Sequence, residues 1–451
     1  MRSLLIFILA GCFLLQSCTG KHPLPVDANT HADVRKTEGR LADGAMWRAS
    51  VPKNWNGTLL LYARGYSSKL SPPKLAPGDS EKMLLKAGYA LVASQYPQAG
   101  WSVEQAIPSQ VMALDAFSNV YTKPDRVIAW GSSMGGLVTA ALAERHSDRL
   151  DGAITLCASA FGAVPMMNMA FDGAFTIATL IAPEEAFSPV GRGDNFAAVR
   201  ELMDKVKVAR ETPLGRARVA LAGVLGGIPS WTQKHTPRPH ATDYRQQEAN
   251  IAKAIGMGVF LPRGDQERRA EGVFSGNSDI DYHKLLAASG RSDFVEAMYK
   301  MAGASLDDDL VTLARQSRVK PEPHAVGYMR ENFTPSGHVT IPVLNAHTIG
   351  DSMTSPALQA GYTELIMQRS GRHMVAAAWL ERAGHCTETE AEHKALISAL
   401  EERLDSGQWP ALPAYFLSTH GNSNELSFTD YEPYPVPREC INSRLCGESL
   451  R

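Results

Sequence analysis

The stretch "IAWGSSMGGLVTA", residues 128–140, places two serines between glycines. Serine is a poor nucleophile until a neighbouring base takes its proton. Gly131-Ser132-Ser133-Met134-Gly135 fits G-x-S-x-G in one register only, because centring the motif on Ser132 would need glycine where Trp130 and Met134 stand. The motif therefore selects Ser133 as nucleophile and leaves Ser132 as a small spacer beside the pocket. The glycines have a steric purpose. A sharp strand-to-helix turn brings backbones together two residues before and two after the serine, and only small residues fit there. The helix that follows directs its first N–H groups and positive dipole end at the serine oxygen. Met134 N–H is then the first donor to an oxyanion.

The base should be a histidine held by a carboxylate. For a nucleophile on such a turn the chain order is serine, acid, histidine, with the last two beyond late strands. Asp351 in "HTIGDSMTSP" and His385 in "RAGHCTET" meet both conditions. His347 competes, but it lies within the strand before the aspartate. His373 and His393 fall before a strand and within the last helix. The acidic run Asp307-Asp308-Asp309 reads as a helix N-terminus. His235 and His240 lack the partners of a zinc site, and no metal or organic cofactor is required. The second oxyanion donor belongs on the loop after an early strand, here Arg64-Gly65-Tyr66, which makes Tyr66 N–H the candidate.

These residues need a frame. "GTLLLYARG" (57–65), "GYALVASQYP" (88–97), "DRVIAWG" (125–131) and "DGAITLCAS" (151–159) read as buried strands separated by helical patterns. Alternating strands and helices imply an α/β fold, a mostly parallel sheet covered on both faces. Residues 161–338 carry helical spacing with little strand signal. "TIPVLNAHTIGD" (340–351) and "HMVAAAWLERAGH" (373–385) restore the strand pattern, and a helix follows. The expected organisation is a core over 46–160 and 339–407, a helical cap inserted at 161–338, a polar tether at 19–45 and an irregular tail at 408–451.

The 451 residues are 44% hydrophobic, with a formal net charge of -2. That balance gives no support for a nucleic-acid surface. Residues 3–17, "SLLIFILAGCFLLQS", follow a single arginine and read as a signal segment over 1–18, too short for a membrane span. Cys12 and Cys18 each follow small residues as in a bacterial lipobox. Cys18 is preferred for lipidation because Cys12 leaves a very short apolar run. The expectation is an exported protein, periplasmic or at the outer surface, meeting the membrane only through that anchor, with simple cleavage and secretion as the alternative. Export makes disulfides available. Cys440 and Cys446, close together in the tail, are a candidate pair. Cys157 and Cys386 pair only if the fold brings them together.

"WGSSMGG", "IGDSMT" and "RAGHC" together resemble the α/β-hydrolase superfamily, over roughly 55–160 and 340–405. The longer stretches "GYALVASQYPQAGWSVEQA" and "GSSMGGLVTAALAERH" are similar to exported bacterial hydrolases of that group. The resemblance implies an α/β-hydrolase fold with a cap, and roles for Ser133, Asp351 and His385 as nucleophile, acid and base. Many members carry His-Gly where this chain has Arg64-Gly65, so Arg64 is expected either to meet a substrate carboxylate or to form a surface ion pair, the second being preferred. In tannase and feruloyl-esterase relatives a disulfide joins the histidine loop to a cysteine beside the serine. Ser132 occupies that place here. Cys157, at the end of the next strand, is an alternative partner for Cys386, and two free thiols are the other reading. The resulting expectation is a serine hydrolase acting on a small-molecule carboxylic ester. A peptidase or amidase of the same fold is the alternative. A non-catalytic surface lipoprotein that binds a ligand is the reading from another class.

Overall fold

Nine strands form one sheet in the order β1-β2-β4-β3-β5-β6-β7-β8-β9. This computed structural model describes residues 33–183, 188–278, 280–420 and 426–435. The strands are β1 (Val34–Arg40), β2 (Met46–Pro52), β3 (Thr58–Ala63), β4 (Ala90–Ser94), β5 (Arg126–Ser132), β6 (Gly152–Leu156), β7 (Val343–Gly350), β8 (Val375–Ala383) and β9 (Phe428–Thr429). Pairing is parallel from β4 through β3, β5, β6 and β7 to β8, and antiparallel at the two ends.

Helices cover both faces of the parallel strands, so these strands are buried on both sides and read as unbroken apolar runs. Successive side chains of β3 enter opposite cores. Leu59, Leu61 and Ala63 face α2 (Val103–Val120) and α3 (Met134–Arg145), whereas Leu60 and Tyr62 face the side of α1 (Ser80–Lys86). Nine helices fill the chain between β6 and β7 among the described residues. They are α4 (Ala163–Leu180), α5 (Asn195–Ala209), α6 (Pro213–Leu225), α7 (Tyr244–Phe260), α8 (Arg263–Arg269), α9 (Tyr282–Ala288), α10 (Ser292–Ala302), α11 (Leu306–Arg315) and α12 (Pro323–Phe333). Their apolar faces join the α2–α3 core through residues such as Phe171, Leu225 and Phe260. After β7 come α13 (Pro356–Ser370), α14 (Glu390–Ser406) and α15 (Ala414–His420), the second of which starts at a capping box between Thr389 and Glu392.

Two expectations change. Residues 34–40 of the expected tether are β1, which pairs along its length with β2. Its sequence, VRKTEGR, is polar because most of it is solvent-facing at a sheet edge, and charges there discourage pairing with another chain. The expected irregular tail contains α15 and β9, with Phe416 and Phe428 stacked at 3.8 Å between ring centres. The signal segment, Cys12, Cys18, Cys440 and Cys446 lie outside the described residues. No helix among those described is long and apolar enough to cross a membrane.

Candidate active site

β5 ends at Ser132 and α3 begins at Met134, so Ser133 is the turn between them. Its φ of 58° is a left-handed conformation that non-glycine residues rarely adopt. The surroundings hold it there. Ser133 N–H donates to Leu156 O on β6 at 2.9 Å, and Gly136 N–H donates to Ser133 O at 2.9 Å. A Cβ on Gly135 would come within 3.0 Å of the carbonyl oxygens of Ala63 and Arg64, and one on Gly131 would meet Thr139 Oγ1 at 2.6 Å. Both collisions involve groups fixed by the sheet or by the next helix. Gly135→Ala is accordingly expected to destabilise the fold by about 2 kcal/mol or more, the cost of overpacking where backbone must move. A melting curve indistinguishable from wild type would contradict this.

The structure brings the three separated residues together. Ser133 Oγ lies 2.9 Å from His385 Nε2, and His385 Nδ1 lies 2.7 Å from Asp351 Oδ2. The serine and histidine are 252 positions apart in the chain. Asp351 is wholly buried. Its Oδ1 accepts from the N–H groups of Met353 and Thr354 at 2.9 and 3.1 Å, and the Thr354 hydroxyl lies 2.9 Å from its Oδ2. Burial works against charge on this carboxylate, but His385 and these donors prevail and hold it below the usual aspartate value. Burial likewise opposes charge on His385, yet the Asp351 carboxylate outweighs it and lifts the imidazole above 6.5. A carboxylate at Nδ1 fixes the proton on that nitrogen and leaves Nε2 as the acceptor facing Ser133.

Sequence reasoning missed Thr354. Its hydroxyl also lies 2.9 Å from Cys157 O and 3.3 Å from His385 Nδ1, so it links the acid, the base and the end of β6. The available signal is local, since Asp followed by Ser and Thr before a helix-opening Pro356 suits a turn in which the aspartate caps the next N–H groups. Cys157 and Cys386 are joined, with their α-carbons 5.3 Å apart, so the free-thiol reading falls. The bond ties the residue after His385 to the strand beside the serine turn. Cys157, His385 and Cys386 are also the one group among the described residues close enough to hold a metal, but both sulfurs are committed to each other.

Neither expectation for Arg64 holds. Its side chain is buried, and it donates to the carbonyls of Gln95, Gln98 and Gly65 while stacking 4.5 Å from the Tyr96 ring centre. It braces the loop after β3 from inside. Gly65 packs against the serine, since a Cβ there would lie 3.2 Å from Ser133 Cβ. Tyr66 follows, half-buried, and its N–H makes no hydrogen bond among the described residues. Met134 occupies the first position of α3, where an N–H has no intrahelical acceptor. Ser132 is buried, with its Oγ accepting from Tyr62 O–H at 3.2 Å, and it makes no hydrogen bond to His385. His347 is buried beside Asp351, its Nε2 2.7 Å from Thr354 O, and burial lowers its basicity. His393 packs on Trp130 from the opposite face, and burial pulls it down to about 4. Asp307, Asp308 and Asp309 occupy the first turn of α11.

The sheet order, the serine turn and the placement of acid and histidine beyond β7 and β8 define a hydrolase of the α/β-hydrolase fold. The chain belongs to the family of the o-phthalyl amidase of Xanthobacter agilis, to which it is 31% identical over 422 residues, 85% of this chain and 90% of that protein. No family model matches. Among solved structures, feruloyl esterase B from Aspergillus oryzae is similar at 12% identity and a TM-score of 0.39, over 84% of this chain and 81% of that one. The acylaminoacyl peptidase of Pyrococcus horikoshii is similar at 8% identity and a TM-score of 0.40, over 89% of this chain and 43% of that one. Likeness at this level says nothing about substrate.

Proposed function

We propose that this hydrolase cleaves a carboxylic amide or ester through an acyl-enzyme on Ser133. The observation that carries the reading is the unbroken line of hydrogen bonds from Ser133 through His385 to the buried Asp351. Ser133 Oγ attacks the carbonyl carbon while His385 Nε2 takes the hydroxyl proton. The imidazolium then gives that proton to the leaving nitrogen or oxygen, and the acyl group stays on Ser133. Water, deprotonated by the same nitrogen, attacks the acyl carbon, the bond from that carbon to Ser133 Oγ breaks, and the imidazolium returns the proton to Ser133 Oγ as the acid leaves. Asp351 stays ionised and stabilises the imidazolium. The N–H groups of Met134 and Tyr66 are assigned to the oxyanion, each such donor typically being worth roughly 3 kcal/mol in the transition state.

Ester cleavage is the expectation from sequence. The 31% identical amidase puts an amide on equal terms, and its name makes an o-phthalyl amide the first compound to test. Paired p-nitrophenyl esters and p-nitroanilides of the same acids, o-phthalyl included, separate the two. Turnover of at least one series, abolished in Ser133→Ala, is expected. No turnover together with no reaction of Ser133 with a fluorophosphonate would support the non-catalytic reading.

The pH dependence has a definite sign. His385 must be neutral to accept a proton, and its pKa is raised. Activity should therefore fall on acidification through a midpoint above 6.5. Glu388, three residues on, is pushed by burial up to about 7, and its negative charge contributes to the rise at His385. Glu388→Gln is expected to move the acid midpoint of kcat/KM to lower pH; a shift upward would contradict this charge assignment.

Export with lipid attachment at Cys18 is part of the proposal. It is supported by the apolar segment at 3–17 and by a disulfide of the kind that persists in oxidising compartments. Incorporation of labelled palmitate, lost in Cys18→Ser, is the expected result.

A further inference from the structure

A second cavity lies away from the serine. It encloses about 670 Å³, within the range of small-molecule sites, and neither Ser133 nor His385 lines it. Its walls come from the segment between α6 and α7, the start of α10 and the strip of chain after β9. Trp231, Phe294, Tyr431 and Tyr434 supply aromatic surface, and Arg291 and Arg238 supply charge.

Arg291 is the informative residue. It is 6% exposed, yet no carboxylate pairs with it among the described residues. Its Nη1 donates to Ile228 O at 2.6 Å and its Nη2 to Ser230 Oγ at 2.7 Å. Its Nε has no hydrogen-bond partner among the described residues. The guanidinium lies over the rings of Phe294 and Tyr434, 5.5 and 5.3 Å from their centres. Asp293 also lines the cavity, without an ion pair to either arginine. Arg238 stands 6.0 Å from the Tyr431 ring centre and makes only a 3.6 Å pair with Glu381, both half-exposed. A buried cation without a counter-ion is costly, and burial pulls Arg291 down to about 10. Here the missing counter-charge would face an aromatic cavity. Planar guanidinium groups take carboxylates, and aromatic walls take a flat ring.

We infer that this cavity is a binding site for an aromatic carboxylate, held by Arg291 and Arg238 and stacked against Tyr431 and Tyr434, separate from the acyl-transfer centre. The site adjoins that centre without entering it. Ile349 lines the cavity two residues before Asp351, and a Cβ on Gly350 would collide with the Trp231 carbonyl.

The test is titration calorimetry of the full chain with benzoate, using benzyl alcohol as the uncharged control. Benzoate is expected to bind one per chain and at least tenfold more tightly than benzyl alcohol. Arg291→Gln is expected to weaken it at least tenfold. Because Arg291 also secures the segment at Ile228 and Ser230, Arg238→Gln and Tyr434→Ala, both at exposed positions, provide independent arms, each expected to weaken benzoate at least fivefold. Chain blocked at Ser133 by a fluorophosphonate, and Ser133→Ala, should bind benzoate as wild type does. The inference fails if benzoate does not bind, if benzyl alcohol binds equally well, or if Arg238→Gln and Tyr434→Ala leave affinity unchanged. It also fails if blocking Ser133 abolishes binding, since benzoate would then occupy the catalytic pocket. These arms do not depend on turnover, so failure of the catalytic reading would be seen separately.

Discussion

Ser133→Ala is expected to lower kcat/KM by about 10⁴-fold or more, with the fold retained, whereas Ser132→Ala should cost less than about tenfold. The two serines are neighbours in sequence but not in environment. Ser133 Oγ faces His385 Nε2 at 2.9 Å, while Ser132 Oγ accepts from the buried Tyr62 hydroxyl. Removing the first takes away the atom that would form the acyl bond. Removing the second leaves one buried hydroxyl short of a partner, a cost of about 1–3 kcal/mol in stability. Equal losses of activity in the two variants would defeat the register argument on which the site is built.

Breaking the Cys157–Cys386 bond should have the next largest effect. It closes a loop of 229 residues that contains the whole helical insertion, and removing such a link typically costs about 2–5 kcal/mol. The expected loss exceeds stability alone, because Cys386 follows His385 directly and Cys157 O is bound to Thr354, which in turn contacts Asp351. Cys157→Ser/Cys386→Ser is therefore expected to melt earlier and, at temperatures where it is still folded, to show a lower kcat. A double variant with unchanged kcat would mean that the bond stabilises the chain without positioning the histidine.

The parts of the site that were legible in the sequence are those set by local sterics or chain order. Gly131 and Gly135 are demanded by backbones touching at a tight turn, so they mark Ser133 without knowledge of the rest. Asp351 and His385 follow from lying beyond strong apolar strands in the required order. The parallel strands were readable because burial on both faces leaves only apolar runs. β1 was not, because an edge strand facing solvent carries lysine, arginine and glutamate, like a tether. Arg64 was misjudged because its partners are carbonyls of residues 95 and 98, and a sequence does not display carbonyl positions. The disulfide and the contact of Thr354 with Cys157 O span 229 and 197 positions, which no local pattern encodes, whereas the turn that brings Thr354 to Asp351 is local. The aromatic cavity is assembled from segments far apart in the chain and was invisible for the same reason.

The central claim is that Ser133 is an activated nucleophile. The most direct measurement is reaction of the folded chain with a fluorophosphonate, followed by fragmentation of the modified peptide to locate the adduct. A single adduct on Ser133 is expected, retained in Ser132→Ala and lost in both Ser133→Ala and His385→Ala. An adduct on Ser132, or labelling that survives the loss of His385, would contradict the account.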